Sequence, residues 1–256
     1  AISFSNNKFI LTTDADCEVP EKWLQEFDEF LQKNSVKMLA GPVKIAFPKK
    51  GFLKLFQELD FLSLQAASIG SFGIEKAFLC NGANLCYEKE SFLKLNGFEG
   101  NEHFAGGDDI FLLEKFETAG MKTAFLKSKS AVVSTSAQLT IKSLFSQRIR
   151  WAGKTSAVDG IGKWVGLIVF LMNFSLILGL FLVLFGILQT EVFFIFFLLK
   201  FNVDFILIYR SAIFFEKENI MKNYFWCSFL YPFFCTAVVF LSLIPGFYWK
   251  GRHFSK

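Results

Sequence analysis

The sequence is poor in the residues on which most small-domain scaffolds and histidine chemistry depend. Its 256 residues include 2 histidines, 5 cysteines and 5 prolines. The histidines, His103 and His253, lie far apart, which gives poor support to a Ser-His-Asp triad or a histidine metal cluster. The cysteines (Cys17, Cys80, Cys86, Cys227, Cys235) are odd in number and form no CxxC pair. That excludes a zinc ribbon and a disulfide framework, and fits a reducing compartment or use as small apolar residues. No P-loop and no G-x-G-x-x-G is present. Charge is also scarce, at 20% against about 25% in typical soluble domains. With 27 Lys+Arg against 23 Asp+Glu the net charge is only +4, and no dense basic block occurs, so nucleic acid is not an expected partner.

What fills the chain is apolar. Hydrophobic residues make up 53%, aromatics 18%, and there are 36 phenylalanines. This excludes disorder. The distribution is uneven. Residues 1–158 alternate short strands, amphipathic helices and polar loops, whereas 159–256 are almost continuously apolar. Trp164–Leu188 has no charged residue, and about 25 residues at ~1.5 Å each cross a ~30 Å hydrocarbon core. Two to three spans are expected, at about 164–188, 191–209 and 225–249, with Pro232 and Pro245 as kinks in the last. Lys200 and Asp204, four apart in the middle one, share a helix face and can pair. Such a pair marks either a functional site or packing against a neighbouring helix.

Loop charges set the expected topology. Gln189–Glu191 has no basic residue and should face out. Arg210–Asn223, with Arg210, Lys217 and Lys222, should face in. Arg148, Arg150, Lys154 and Lys163 precede the first span, which places the polar part in the cytoplasm at the cell membrane. Three crossings would leave Lys250, Arg252 and Lys256 outside, against the rule.

In the polar part, Lys8–Thr13 reads as a buried strand and Pro20 as the start of a helix carrying Trp23, Phe27, Phe30 and Leu31. Val36–Ala40 is a second strand, stopped by Gly41-Pro42. Phe52, Leu55, Phe56 and Leu59 form an apolar helix face. Leu79–Tyr87 reads as two short strands around an Asn81-Gly82-Ala83-Asn84 turn. Asp108–Ala119 reads as a helix closed by Gly120, and Lys122–Leu126 and Ala131–Thr135 as strands. Strands alternating with helices predict an α/β fold with a mixed, mainly parallel sheet.

Three motifs can carry chemistry. Asp14-Ala15-Asp16 follows a hydrophobic strand, beyond whose carboxyl end ligands of parallel sheets bind. Two carboxylates there can hold one hard cation, Mg²⁺ or Mn²⁺; alternatively the segment is a solvated turn before a helix. Gly106-Gly107-Asp108-Asp109 opens a helix. A carboxylate at that place can act as a general base, or simply complement the helix N-terminus. Gln147-Arg148-Ile149-Arg150-Trp151 sets Gln147, Arg150 and Trp151 on one helical face, with Ile141, Phe145 and Ile149 opposite. Guanidinium suits phosphate and indole suits a sugar face; an interfacial anchor before a span is the plainer alternative. His103, near Asp108, is a further metal ligand or a loop histidine with a local hydrogen bond.

The order of Thr13-Asp14-Ala15-Asp16, Asn81-Gly82-Ala83-Asn84, Gly107-Asp108-Asp109 and Gln147–Trp151, followed at once by apolar spans, resembles the membrane-bound family 2 glycosyltransferases. These have the GT-A nucleotide-sugar fold and include cellulose and hyaluronan synthases. The resemblance implies that Asp16 with Asp14 holds the metal and the donor diphosphate, and that Asp109 is the base, supported by Asp108. It also implies that Asn81, Gly82 and Asn84 line the sugar pocket, and that Gln147, Arg150 and Trp151 hold the diphosphate and the acceptor end. The family has a nucleotide-binding segment before the D-x-D strand. Ala1 opens here almost directly on that strand, so an N-terminally truncated, partial GT-A domain is expected.

The expected activity is transfer of a sugar, with inversion, from a nucleotide-diphospho-sugar (a UDP-sugar by expectation) to a lipid or glycan acceptor at the membrane lipid surface. A processive polysaccharide synthase and a non-enzymatic membrane scaffold or transporter subunit are the alternatives. Oligomeric state, sugar and linkage are not readable from the residues.

Overall fold

The computed structural model describes residues 2–46, 51–100, 107–155, 160–244, 247–249 and 252–254. The chain forms two compact units, one of residues 1–50 and 64–137 and the other of 51–63 and 138–255. In chain order the elements are β1 (Phe9–Thr12), α1 (Trp23–Lys33), β2 (Met38–Ala40), β3 (Val43–Ala46), α2 (Phe52–Gly73), β4 (Leu85–Glu88), α3 (Lys89–Lys94), α4 (Asp108–Thr118), β5 (Thr123–Phe125), β6 (Val133–Ser136), α5 (Ile141–Thr155), α6 (Ile161–Leu184), α7 (Thr190–Phe214), α8 (Tyr224–Leu243), β7 (Phe247–Trp249) and β8 (Arg252–Phe254). The division between the units falls within α2.

The first unit is built on a mixed sheet in the order β1-β4-β2-β5. β2 pairs parallel with β5, and β4 runs antiparallel to both β1 and β2. Three strands therefore share one direction and β4 opposes them. The pleat sorts the central strands between two cores, because successive side chains point to opposite faces. Met38, Ala40, Leu85 and Tyr87 join Leu112, Leu113 and Phe116 of α4 and Phe92 of α3 on one face. Leu39 and Cys86 join Phe27 of α1, Leu126 and Ala131 on the other. Helices thus cover both faces of the sheet, as the α/β reading requires. β3 and β6 form a separate parallel pair.

Local departures from the sequence reading have local causes. Pro20 precedes α1 rather than entering it; its carbonyl accepts from Trp23 N at 3.1 Å. Only the second half of Leu79–Tyr87 is a strand. The Asn81 side chain accepts from Ala83 N and turns Gly82–Asn84 into a 3-10 turn leading into β4. β3, directly after Gly41-Pro42, was not foreseen, because a Gly-Pro pair normally signals the end of a strand rather than the pause between two.

Among its described residues the second unit contains three helices long and apolar enough to cross a membrane: Ile161–Leu184, Thr190–Phe214 and the helical run Glu218–Leu243. Their outward side chains, among them Leu178, Phe181, Val203, Ile206 and Leu241, are exposed, as lipid-facing residues must be. The middle helix runs past the expected residue 209 to Phe214. The last stops at Leu243, short of the expected 249, and Phe247–Trp249 pairs instead with Arg252–Phe254 as an antiparallel hairpin. Pro232 lies inside α8; Pro245 is outside the described residues. Lys200 and Asp204 form the expected ion pair, with Lys200 Nζ 5.7 Å from the Tyr231 ring centre.

Candidate active site

The acidic loop after β1 is pinned at both ends. Before it, Thr12 pairs with Leu85, and its hydroxyl donates to the carbonyls of Gly82 (2.8 Å) and Leu85 (3.0 Å). After it, Glu18 bridges to Ser134 of β6 through two main-chain hydrogen bonds. Between these anchors Cys17 N donates to Asp14 O and closes a turn. Asp14 and Asp16 are exposed there, and Cys17 is half-buried. Ligand atoms of these three residues lie within 4.8 Å of one another. Burial raises the Cys17 thiol pKa, and the negative charges of Asp14 and Asp16 add to the rise, against a hydrogen bond with Thr135.

The second acidic motif meets the Asn81–Asn84 turn directly. Gly107 caps α4 with φ of 100°, a left-handed conformation open to glycine at little cost; this explains a glycine immediately before the acids. Asp108 is exposed and Asp109 half-buried in the first helical turn, where the helix end favours negative charge. Asp109 Oδ2 accepts from Gly82 N at 2.9 Å, and Oδ1 from Ile110 N at 2.9 Å. Gly82 is therefore tied on both sides: its carbonyl to Thr12, next to the D-x-D loop, and its N–H to Asp109. Gly106 and His103 lie outside the described residues.

Asn84, expected to line the pocket, is committed to contacts within the protein. It is fully buried. Its Oδ1 accepts from Trp23 Nε1 at 2.9 Å, and its Nδ2 donates to the carbonyls of Pro42 (2.8 Å) and Ala131 (2.9 Å). A side chain so committed ties its turn to α1 and to the loops of Pro42 and Ala131. Asn81 and Gly82 are half-buried.

The third motif lies on α5, in the other unit. Its buried side chains are Leu144 and Arg148; Gln147, Arg150 and Trp151 are half-buried. The Arg148 guanidinium lies 4.2 Å from the Trp151 ring centre, and its Nη1 donates to Gln147 Oε1. On the opposite side Ile141 is exposed, while Phe145 packs edge-on against Phe234 of α8 at 4.9 Å.

A profile of the glycosyl transferase family group 2 matches residues 9–243, almost the whole chain and both of its units. The chain belongs to this family. It is thus a glycosyltransferase, with three apolar, membrane-type helices among the described residues. No curated protein matches the sequence. Several residues that shape this glycosyltransferase escaped the sequence reading: Thr12, Trp23, Cys17, Asp60 and Arg148. Two left a trace. Asp60 and Glu58 are acids within a largely apolar stretch of helix, and Arg148 sits inside the Gln147–Trp151 motif.

Proposed function

We propose that the protein transfers a sugar from a nucleotide-diphospho-sugar, a UDP-sugar by preference, to a lipid or glycan acceptor, with inversion. The observation that carries the reading is the double tie of Gly82, which links the loop of Asp14 and Asp16 to the helix of Asp109 through one residue's main chain. The acceptor hydroxyl oxygen forms a bond to the anomeric carbon. The bond from that carbon to the diphosphate breaks, the nucleoside diphosphate departs with the electron pair, and Asp109 takes the hydroxyl proton. Asp108 supports Asp109 as a second negative charge at the same helix end. Asn81 and Gly82 line the sugar pocket, and Asn84 holds their turn.

Two exposed carboxylates with ligand atoms within 4.8 Å of each other fit a hard divalent cation. Asp16 with Asp14 would hold Mg²⁺ or Mn²⁺, whose charge would offset that of the departing diphosphate. Gln147, Arg150 and Trp151 hold the diphosphate and the acceptor end. The catalytic unit lies on the cytoplasmic side of the cell membrane, in keeping with the basic residues around Arg148 and in the Arg210–Asn223 connection.

The test uses the protein in membranes with a panel of radiolabelled nucleotide sugars. Transfer should require a divalent cation and should fall in Asp16→Ala. In Asp109→Asn it should drop by about 10²–10⁴-fold, the usual worth of a positioned base. Undiminished transfer by Asp109→Asn removes the base assignment, and full activity in EDTA removes the metal.

A further inference from the structure

Arg148 and Asp60 form a buried ion pair in the second unit, with side chains 6% and 4% exposed. Nε and Nη2 both reach Asp60 Oδ2, at 2.7 and 2.6 Å. The remaining edge of the guanidinium holds Gln147 and its face covers Trp151. Trp151 in turn lies 6.5 Å from Phe61, the residue after Asp60. The turn of α2 that carries Asp60 is itself braced. Gln57 exchanges two hydrogen bonds of 3.0 Å with the main chain of Gln138, just before α5. Buried Glu58 pairs with Lys217 at 2.8 Å, in the connection between α7 and α8.

A buried Arg–carboxylate pair adds little net stability, because desolvation offsets its attraction. What it supplies is geometry. A planar guanidinium can bond an acid along one edge, an amide at its other end and a ring across its face, all at once. A lysine cannot.

We infer that Arg148, anchored by Asp60, is a positioning residue that fixes Gln147 and Trp151 for the acceptor. The inference rests on the proposed transferase reading and adds two residues to it, neither of which meets a substrate. Arg148→Lys keeps the charge for Asp60 but gives up the amide and the ring face. Asp60→Asn keeps the shape but weakens the anchor.

The experiment titrates wild type and both variants, in membranes, with a lipid and glycan extract of the same membranes as acceptor. UDP affinity with Mn²⁺ and thermal unfolding are measured in parallel. Arg148→Lys should need about tenfold more extract for half-maximal rate, with kcat and UDP affinity within about threefold of wild type. Asp60→Asn should shift the same way by less. An unchanged half-saturating extract in Arg148→Lys overturns the inference. So does an equal loss of UDP affinity, or loss of folded protein in both variants, which would assign the pair to stability alone. Failure of the wild type to transfer from any nucleotide sugar would instead remove the proposed function itself.

Discussion

At Gly41 a single added carbon would land on the Asn84 amide. That amide cannot swing aside, since three hydrogen bonds fix it. Gly41→Ala should therefore destabilise the protein by about 1–3 kcal/mol, the usual cost of overpacking, read as a lower unfolding midpoint in detergent. An unchanged midpoint would mean that the loops around Asn84 yield. The same amide shows where residue-level reading stops. The Asn-Gly-Ala-Asn run was legible as a turn, but nothing in four letters tells which asparagine is buried. That depends on Trp23, Pro42 and Ala131, which are distant in sequence. The acids were legible because strand ends and helix starts are local features. Arg148 was not, because its partner Asp60 is distant along the chain.

Between residue and fold, the junction of β4 and α3 makes a pH-dependent element. Glu88 is buried there; Lys37 Nζ donates to both carboxylate oxygens, at 2.6 and 2.7 Å, and Ser91 donates as well. Burial alone would raise the Glu88 pKa. The hydrogen bonds from Lys37 and Ser91, with the charges of Lys37 and Lys8, outweigh it, and the net shift is downward. A depressed carboxylate stabilises the fold above its unfolded pKa and loses that contribution as pH falls through the folded value. Acid titration of unfolding should show this loss below the ordinary carboxylate range. Glu88→Gln should be less stable at neutral pH by about 1–2 kcal/mol, given a half-exposed lysine partner, with a flatter acid limb. An equally steep limb in the variant would place the acid sensitivity elsewhere. Elements marked by a local signal were foreseen: α1 by its period, α4 by its acidic start, and the three apolar helices by long apolar runs, with ends displaced by up to about six residues. Those set by pairing were not. β4's reversed direction and the short β3–β6 pair depend on partners that periodicity does not reveal.

For the whole molecule, the three apolar helices expose large side chains that water would not tolerate. The protein should stay in the membrane fraction through alkaline carbonate and leave it only with detergent. Sidedness can be read at Cys17, half-buried in the first unit, whereas Cys80 and Cys86 are buried and the Cys86 thiol is pushed up to about 12. In a variant retaining Cys17 alone, a membrane-impermeant maleimide should label inverted vesicles and spare intact cells. Labelling of intact cells would reverse the proposed orientation.

Because one glycine is fastened to Thr12 on one side and to Asp109 on the other, the acidic segments are not interchangeable parts. An engineer grafting a donor loop from another transferase would also have to import the matching turn and helix start. Chimeras that move all three together should tolerate exchange, and single-segment swaps should come apart at that joint.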